Sequence, residues 1–265
     1  MPKLLNKYLI FSKLSAKNAL KTKETILGFA VFLSILLLVY NKLWNTIIIN
    51  NEIKYITLPN INFVWYLFFT ELIILSTPAL YRSLEEDINF CSMAYFINRP
   101  VNFFIMRFAE GIGTLSVTFA FLLFCGISIT YLLAATTLMS HLQFMVIIVL
   151  CFVSTIVTSL LMALIGFCAL WFHTTKPIYL LMQKMIFVLG GAVLPLIIYP
   201  GWLINIAKYT PFYYMFFMVA KLSYAFNWHD VILVLMMELF WGSIFIVLII
   251  LAYRQLYKRI NIYGG

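Results

Sequence analysis

Residues 142–172 read LQFMVIIVLCFVSTIVTSLLMALIGFCALWF, with no Asp, Glu, Lys or Arg anywhere in the run. The run exceeds the roughly 20 apolar residues that a helix needs to cross the hydrocarbon of a bilayer. The whole chain has the same character: 265 residues, 64% of them hydrophobic and only 10% charged, where a soluble domain carries about 25% charged residues. A packed soluble core does not account for that deficit, so the solvent for most side chains is lipid.

Five further apolar runs flank this one. Thr25–Asn41 is free of charge and is followed by Lys42. Ile56–Tyr81 carries one carboxylate, Glu71. Phe108–Ser140 carries Glu110 in its first turn, where a helix N-terminus favours an anion. Met185–Ala207 is uncharged but interrupted by Pro195 and Pro200. Val231–Tyr253 carries Glu238. The sequence therefore predicts an all-α integral membrane protein with six transmembrane helices, residues 25–253 forming a single domain.

The net charge of +9 reads as membrane topology. The basic residues sit at the ends of apolar runs, not in the clustered polar patch that nucleic-acid binding requires. With the N-terminus inside, inner segments hold fourteen Lys and Arg and outer segments four, at Lys42, Lys54, Lys208 and Lys221. The positive-inside rule then places both termini in the cytoplasm, in a multi-pass protein of the cell membrane. The leader, residues 1–24, alternates Lys3, Lys7, Lys13, Lys17 and Lys21 with an apolar arc of Leu4, Leu5, Tyr8, Leu9, Phe11, Ala16, Ala19 and Leu20. Ile10 and Leu14 fall outside that arc. This predicts an amphipathic helix lying along an anionic leaflet. No small-x-small cleavage site closes the first apolar run, so it reads as a retained span.

Two segments stand out between the spans. Residues 82–107 form the polar inner loop, opening Arg82-Ser-Leu-Glu-Glu-Asp-Ile88 and closing Asn98-Arg99-Pro100-Val101. Ser83 and Glu86 fit a capping box, with Glu85, Glu86 and Asp87 in a first turn and Leu84, Ile88, Cys91 and Tyr95 on one face. Acidic residues are poor anchors on an anionic leaflet, which favours a protein partner for this helix. Residues 190–228 form the second segment. Pro195, Pro200 and Pro211 exclude one straight helix, and the run is too apolar for a free loop. A re-entrant pair of short helices, rich in interfacial aromatics, is the predicted compromise.

Several chemistries are missing. The chain lacks the P-loop motif, and its longest internal cytoplasmic segment is about 25 residues, too short for a nucleotide-binding domain. It lacks the paired polar residues of the common hydrolase motifs. Its four cysteines form no C-x-x-C pair and its three histidines no ligand cluster, which leaves no metal site to assign. The buried carboxylates Glu71 and Glu238 are candidates for lining a pathway.

These segments together resemble the membrane subunits of ABC transporters of the ABC-2 exporter type, specifically six-span permeases of about this length. The likeness rests on the basic leader, Phe96-Ile-Asn-Arg99-Pro100-Val101, the stretch Leu194-Pro195 … Tyr199-Pro200-Gly201-Trp202 … Thr210-Pro211-Phe212, and the basic tail, residues 254–265, ending Tyr263-Gly264-Gly265. The resemblance implies a permease without catalytic residues, paired with a second permease copy or a homologue and with two ATPase subunits that bind ATP and Mg. It implies that Ser83–Ile97 is the coupling helix, with Ser83, Glu85, Glu86, Asp87, Ile88, Arg99 and Pro100 at the ATPase contact. It also implies an outer lid at Pro195, Pro200, Gly201, Trp202, Pro211 and Phe212. The alternatives are a stand-alone secondary transporter or channel and, third, a membrane enzyme acting on lipid.

Overall fold

The computed structural model describes residues 2–49, 63–89, 102–134 and 139–263, and it is helical almost throughout, with no strand among those residues. The central element is α3 (Phe63–Ser76). Trp65, Tyr66, Phe68, Phe69, Leu72 and Ile73 are all nearly inaccessible, so the helix is buried around its whole circumference. An all-round apolar helix belongs in the middle of a bundle. Around it stand α2 (Lys23–Ile49), α5 (Phe103–Ala134), α6 (His141–Phe167) and the buried stretch 213–221.

The chain turns out of α3 at Pro78. Proline offers no N–H and disfavours helical geometry in the residue before it. The Thr77 hydroxyl donates to Ile73 O at 2.7 Å, and Leu80 N donates to Pro78 O at 2.8 Å across the break. A second short helix, α4 (Leu80–Asn89), follows. The span expected over Ile56–Tyr81 is therefore broken, and Ser83 lies inside α4 instead of capping it. Its hydroxyl donates back to Leu80 O at 3.1 Å. The capping box stands elsewhere, at Ser140 and Gln143, where it starts α6.

Helices α3–α4, α6 and α9 (Trp228–Tyr263) run in one direction and α5 runs in the other. Phe104, Phe167 and Tyr253 meet at one end, with ring centroids 5.8 and 6.3 Å apart. Trp65 meets Tyr131 and Phe144 at the other, at 5.3 and 5.6 Å. Five helical runs, Glu24–Trp44, Phe63–Asn89, Phe103–Leu133, His141–Leu170 and Trp228–Leu256, are long and apolar enough to cross a membrane. Their outward residues, such as Phe32 and Ile35 on α2 and Leu239 and Val247 on α9, are exposed. A soluble monomer rarely leaves so much apolar surface to water, and this is the surface of a multi-pass membrane protein.

Met185–Ala207, expected as a span, is not one helix. α7 (Lys176–Leu189) has only 14 residues and ends at Gly190. Gly191 then turns the chain at φ +62°, a left-handed conformation that a side chain disfavours. A 3-10 turn, Leu196–Ile198, and α8 (Gly201–Lys208) come next. A π-helical stretch, Tyr213–Met218, runs into Val219–Lys221. The third span also differs, starting at Phe103 instead of Phe108, which puts Glu110 two turns into α5.

The N-terminal helix α1 (Pro2–Lys21) packs along the first half of α5. Tyr8, Phe11, Ser12, Ser15, Ala16 and Ala19 form its packed face, and Lys7, Lys13, Lys17 and Lys21 are exposed. The two backbones come so close that a Cβ at Gly113 would stand 2.1 Å from Ser12 O. Part of the apolar arc read as lipid-seeking is thus an intramolecular contact. Leu9, Leu20 and the two misfits, Ile10 and Leu14, remain exposed.

Candidate functional site

α4 forms because Leu80, Tyr81, Leu84 and Asp87 recur every three or four residues and all four are buried. That spacing lays one face of a helix on the bundle. Arg82, Glu86 and Asn89 are exposed, and Glu85 and Ile88 are half-buried. The buried face is braced from three directions. On the α5 side, Arg107 donates from Nε to Asp87 Oδ2 at 2.6 Å and from Nη2 to Asp87 Oδ1 at 2.9 Å. The same guanidinium donates from Nη1 to Glu110 Oε2 at 2.8 Å. A fork-on-carboxylate pair of this kind fixes orientation as well as distance.

On the α6–α7 connection, Glu85 Oε2 accepts from Thr175 N at 3.0 Å and from the Thr175 hydroxyl. Asn89 Nδ2 donates to His173 O at 2.8 Å. On α7, Tyr179 stacks on Tyr81 with centroids 4.3 Å apart. The three acidic residues that the sequence sets side by side therefore have different roles. Asp87 and Glu85 hold α4 in place, and Glu86 is left on the surface. Arg99 and Pro100, with Cys91 and the rest of the Phe96–Val101 motif, lie outside the described residues, as do Gly264 and Gly265.

Two cavities flank the proline break. One, of about 400 Å³, lies toward α1, α2 and α5, and Ser76, Thr77, Ser83, Arg107 and Glu110 are among its walls. The other, of about 90 Å³, lies toward α6 and α7, between Pro78, Thr158, Tyr179, Gln183 and Phe216. α4 is thus attached to the hub through a non-helical joint that has space on both sides. Neither the joint nor its polar surroundings was read from the sequence. Pro78 was the available signal.

The segment between α7 and α9 is pinned at both ends. The Tyr66 hydroxyl donates to Gly191 O at 2.6 Å, and the Thr70 hydroxyl reaches Ala192 O at 3.4 Å. Lys221 Nζ pairs with Asp230 Oδ2 at 3.0 Å. Pro195 precedes the 3-10 turn, and Pro200 and Gly201 begin α8. Trp202 projects outward at 65% exposure, whereas Phe212, after Pro211, is buried. Phe216 reaches inward as far as Pro78 and Thr158, as the wall of the smaller cavity shows.

The two intramembrane carboxylates stand on different elements. Glu71 is buried in α3. Glu238 of α9 is fully buried against α6, where Oε1 accepts from the Ser154 hydroxyl and Oε2 has no partner. Ser154 lies in the polar run Ser154-Thr155 … Thr158-Ser159, a sequence signal that was available for this contact. Among the described residues no group of three His, Cys, Asp or Glu could hold a metal. No protein family, curated protein or solved structure matches this chain.

Proposed function

We propose that this chain is a permease subunit of an ATP-driven ABC exporter of the ABC-2 type, and that α4 is the element on which a separate ATPase acts. The observation that carries the reading is the construction of α4. It is a short amphipathic helix, joined to the buried hub by a proline break, braced by Arg107 and Thr175, with Arg82 and Glu86 facing outward. A push on its outer face would be passed to α5 through the Asp87–Arg107 pair and to α7 through Glu85 and Tyr81. Packed elements with room to shift move as bodies. ATP and Mg belong to the partner in this reading, and a second permease copy or a homologue completes the pathway.

In the same reading the segment 190–228 enters the membrane from the outer side and returns. Its short helices, its buried tip at Phe216 and its two anchored ends support that placement. Backbone that departs from a helix is tolerated at membrane depth only where protein or water satisfies it, and Tyr66 and Thr70 supply such partners to Gly191 and Ala192.

The test is co-purification with an ATPase encoded beside the gene, followed by charge reversal of the outer face of α4 in the double variant Arg82→Glu, Glu86→Lys. Loss of ATPase binding with an unchanged melting temperature is the expected result. Unaltered binding and transport would show that this face is not the contact. One observation favours a second reading, a stand-alone secondary transporter: buried carboxyls at Glu71 and Glu238 are the residue type that proton-coupled carriers use. Transport by the purified chain in liposomes without ATP would select it.

A further inference from the structure

The larger cavity has a polarity gradient. Its wall along α5 climbs from Arg107 and Glu110 to Thr118, a rise of about 16 Å at helical pitch. Charged groups stand at the α4 end, hydroxyls between, and Phe29 and Leu75 on the apolar walls. A space of about 400 Å³ falls within the range of small-molecule sites, roughly 300–1,000 Å³.

The hydrogen-bonding state of the walls restricts what fits. Thr77, Ser83 and Thr118 donate their hydroxyl protons to Ile73 O, Leu80 O and Thr114 O, which leaves their oxygens as acceptors. The Ser76 hydroxyl is buried, at 2% exposure, with no partner. A buried hydroxyl in that state is costly unless a ligand or water satisfies it. Arg107 is the one cation among the described lining residues, and its fork is taken by Asp87 and Glu110. A phosphate would therefore meet the Glu110 carboxylate and a guanidinium already paired to two acids.

We infer that the cavity between α1, α2, α5 and the Pro78 break binds the uncharged polyhydroxyl headgroup of an amphiphile, with its chain directed along Phe29 and Leu75. A polyol both donates to the committed oxygens and accepts from Ser76, which neither a phosphate nor an ammonium group does. The inference needs the helices to lie in a membrane, but it does not need the ATPase partner. Its failure would leave the permease reading standing, and the reverse holds too.

The experiment uses the full chain in phosphatidylcholine nanodiscs and an alkyl glucoside carrying a photoreactive diazirine on its chain. Adducts are located by mass spectrometry, with octyl glucoside, octyl phosphate and octylamine as competitors. The expected result is adducts around Phe29 and Leu75 that octyl glucoside removes and the two charged competitors do not. Ser76→Ala and Thr118→Val keep the volume of the site, and each lowers labelling about fivefold, the worth of one hydrogen bond. Labelling spread evenly over the lipid-facing helices would overturn the inference. So would displacement by octyl phosphate or octylamine, or unchanged labelling in both variants with melting temperatures like that of the parent.

Discussion

Asp87, Glu86 and Glu85 are consecutive, yet they meet different surroundings. The Asp87 side chain is 9% exposed and held by both arms of Arg107, 20 residues away. Removing one partner from a buried charge pair leaves the other unpaired and costs about 3–5 kcal/mol. Arg107 is a quarter exposed, so solvent screening lowers the expected loss to about 2 kcal/mol for Asp87→Ala. Glu86→Ala, on the surface, shifts stability by about 0.5 kcal/mol or less. Melting curves in one detergent compare the two variants directly, and equal losses would contradict the assignment. Glu238 follows related logic. Glu238→Gln keeps an acceptor for Ser154 and costs about 1 kcal/mol, whereas Glu238→Lys buries a cation without a partner and costs about 3 kcal/mol or more. Comparable melting temperatures for the Gln and Lys variants would refute that account.

At the scale of elements, α1 and the α3–α4 joint carry the argument. If α1 is part of the bundle, cysteines replacing Ser15 and Thr114 should form a disulfide on mild oxidation. Their hydroxyl oxygens are 2.9 Å apart, and the bridge needs Cβ atoms about 4 Å apart. The background lacks Cys91, Cys125, Cys151 and Cys168. No cross-link would mean that α1 lies away from α5 on the lipid surface. The amphipathic pattern of α1 was legible in the sequence, but its target was not, because a lipid surface and the flank of another helix select the same apolar spacing. Gly113 of α5 marks the contact, and a lone glycine in an apolar helix does not name its neighbour. The α3–α4 break was hidden for a different reason. Hydropathy runs through Ser76–Ala79 without a dip large enough to end a span, so a single proline carried all the information. Ser83 and Glu86 have the spacing of a cap, but tertiary burial of Leu80 and Tyr81 starts the helix a turn earlier.

For the molecule as a whole, the sequence was most reliable where composition alone decides. Uninterrupted apolar runs over α2, α5, α6 and α9 predicted membrane-length helices, and helices of that length are present. Boundaries moved where helices continue past the bilayer. α5 has 32 residues, about 48 Å against a hydrocarbon thickness of about 30 Å, so its charged first turns project beyond the lipid beside α1. The count of spans depends on segment 190–228. If it enters and returns on one side, single cysteines replacing Lys208 and Asn227 both react with a membrane-impermeant maleimide from the outside of intact cells. Reaction of one from each side would make the segment a full crossing.

The placement of α4 is tested most directly with a single cysteine at Glu86→Cys, in a chain otherwise free of cysteine. A membrane-impermeant maleimide should leave it unlabelled in intact cells, label it in inside-out vesicles, and label it several-fold more slowly once the proposed ATPase partner is added. Labelling from outside intact cells would put α4 on the wrong face of the membrane and contradict the account.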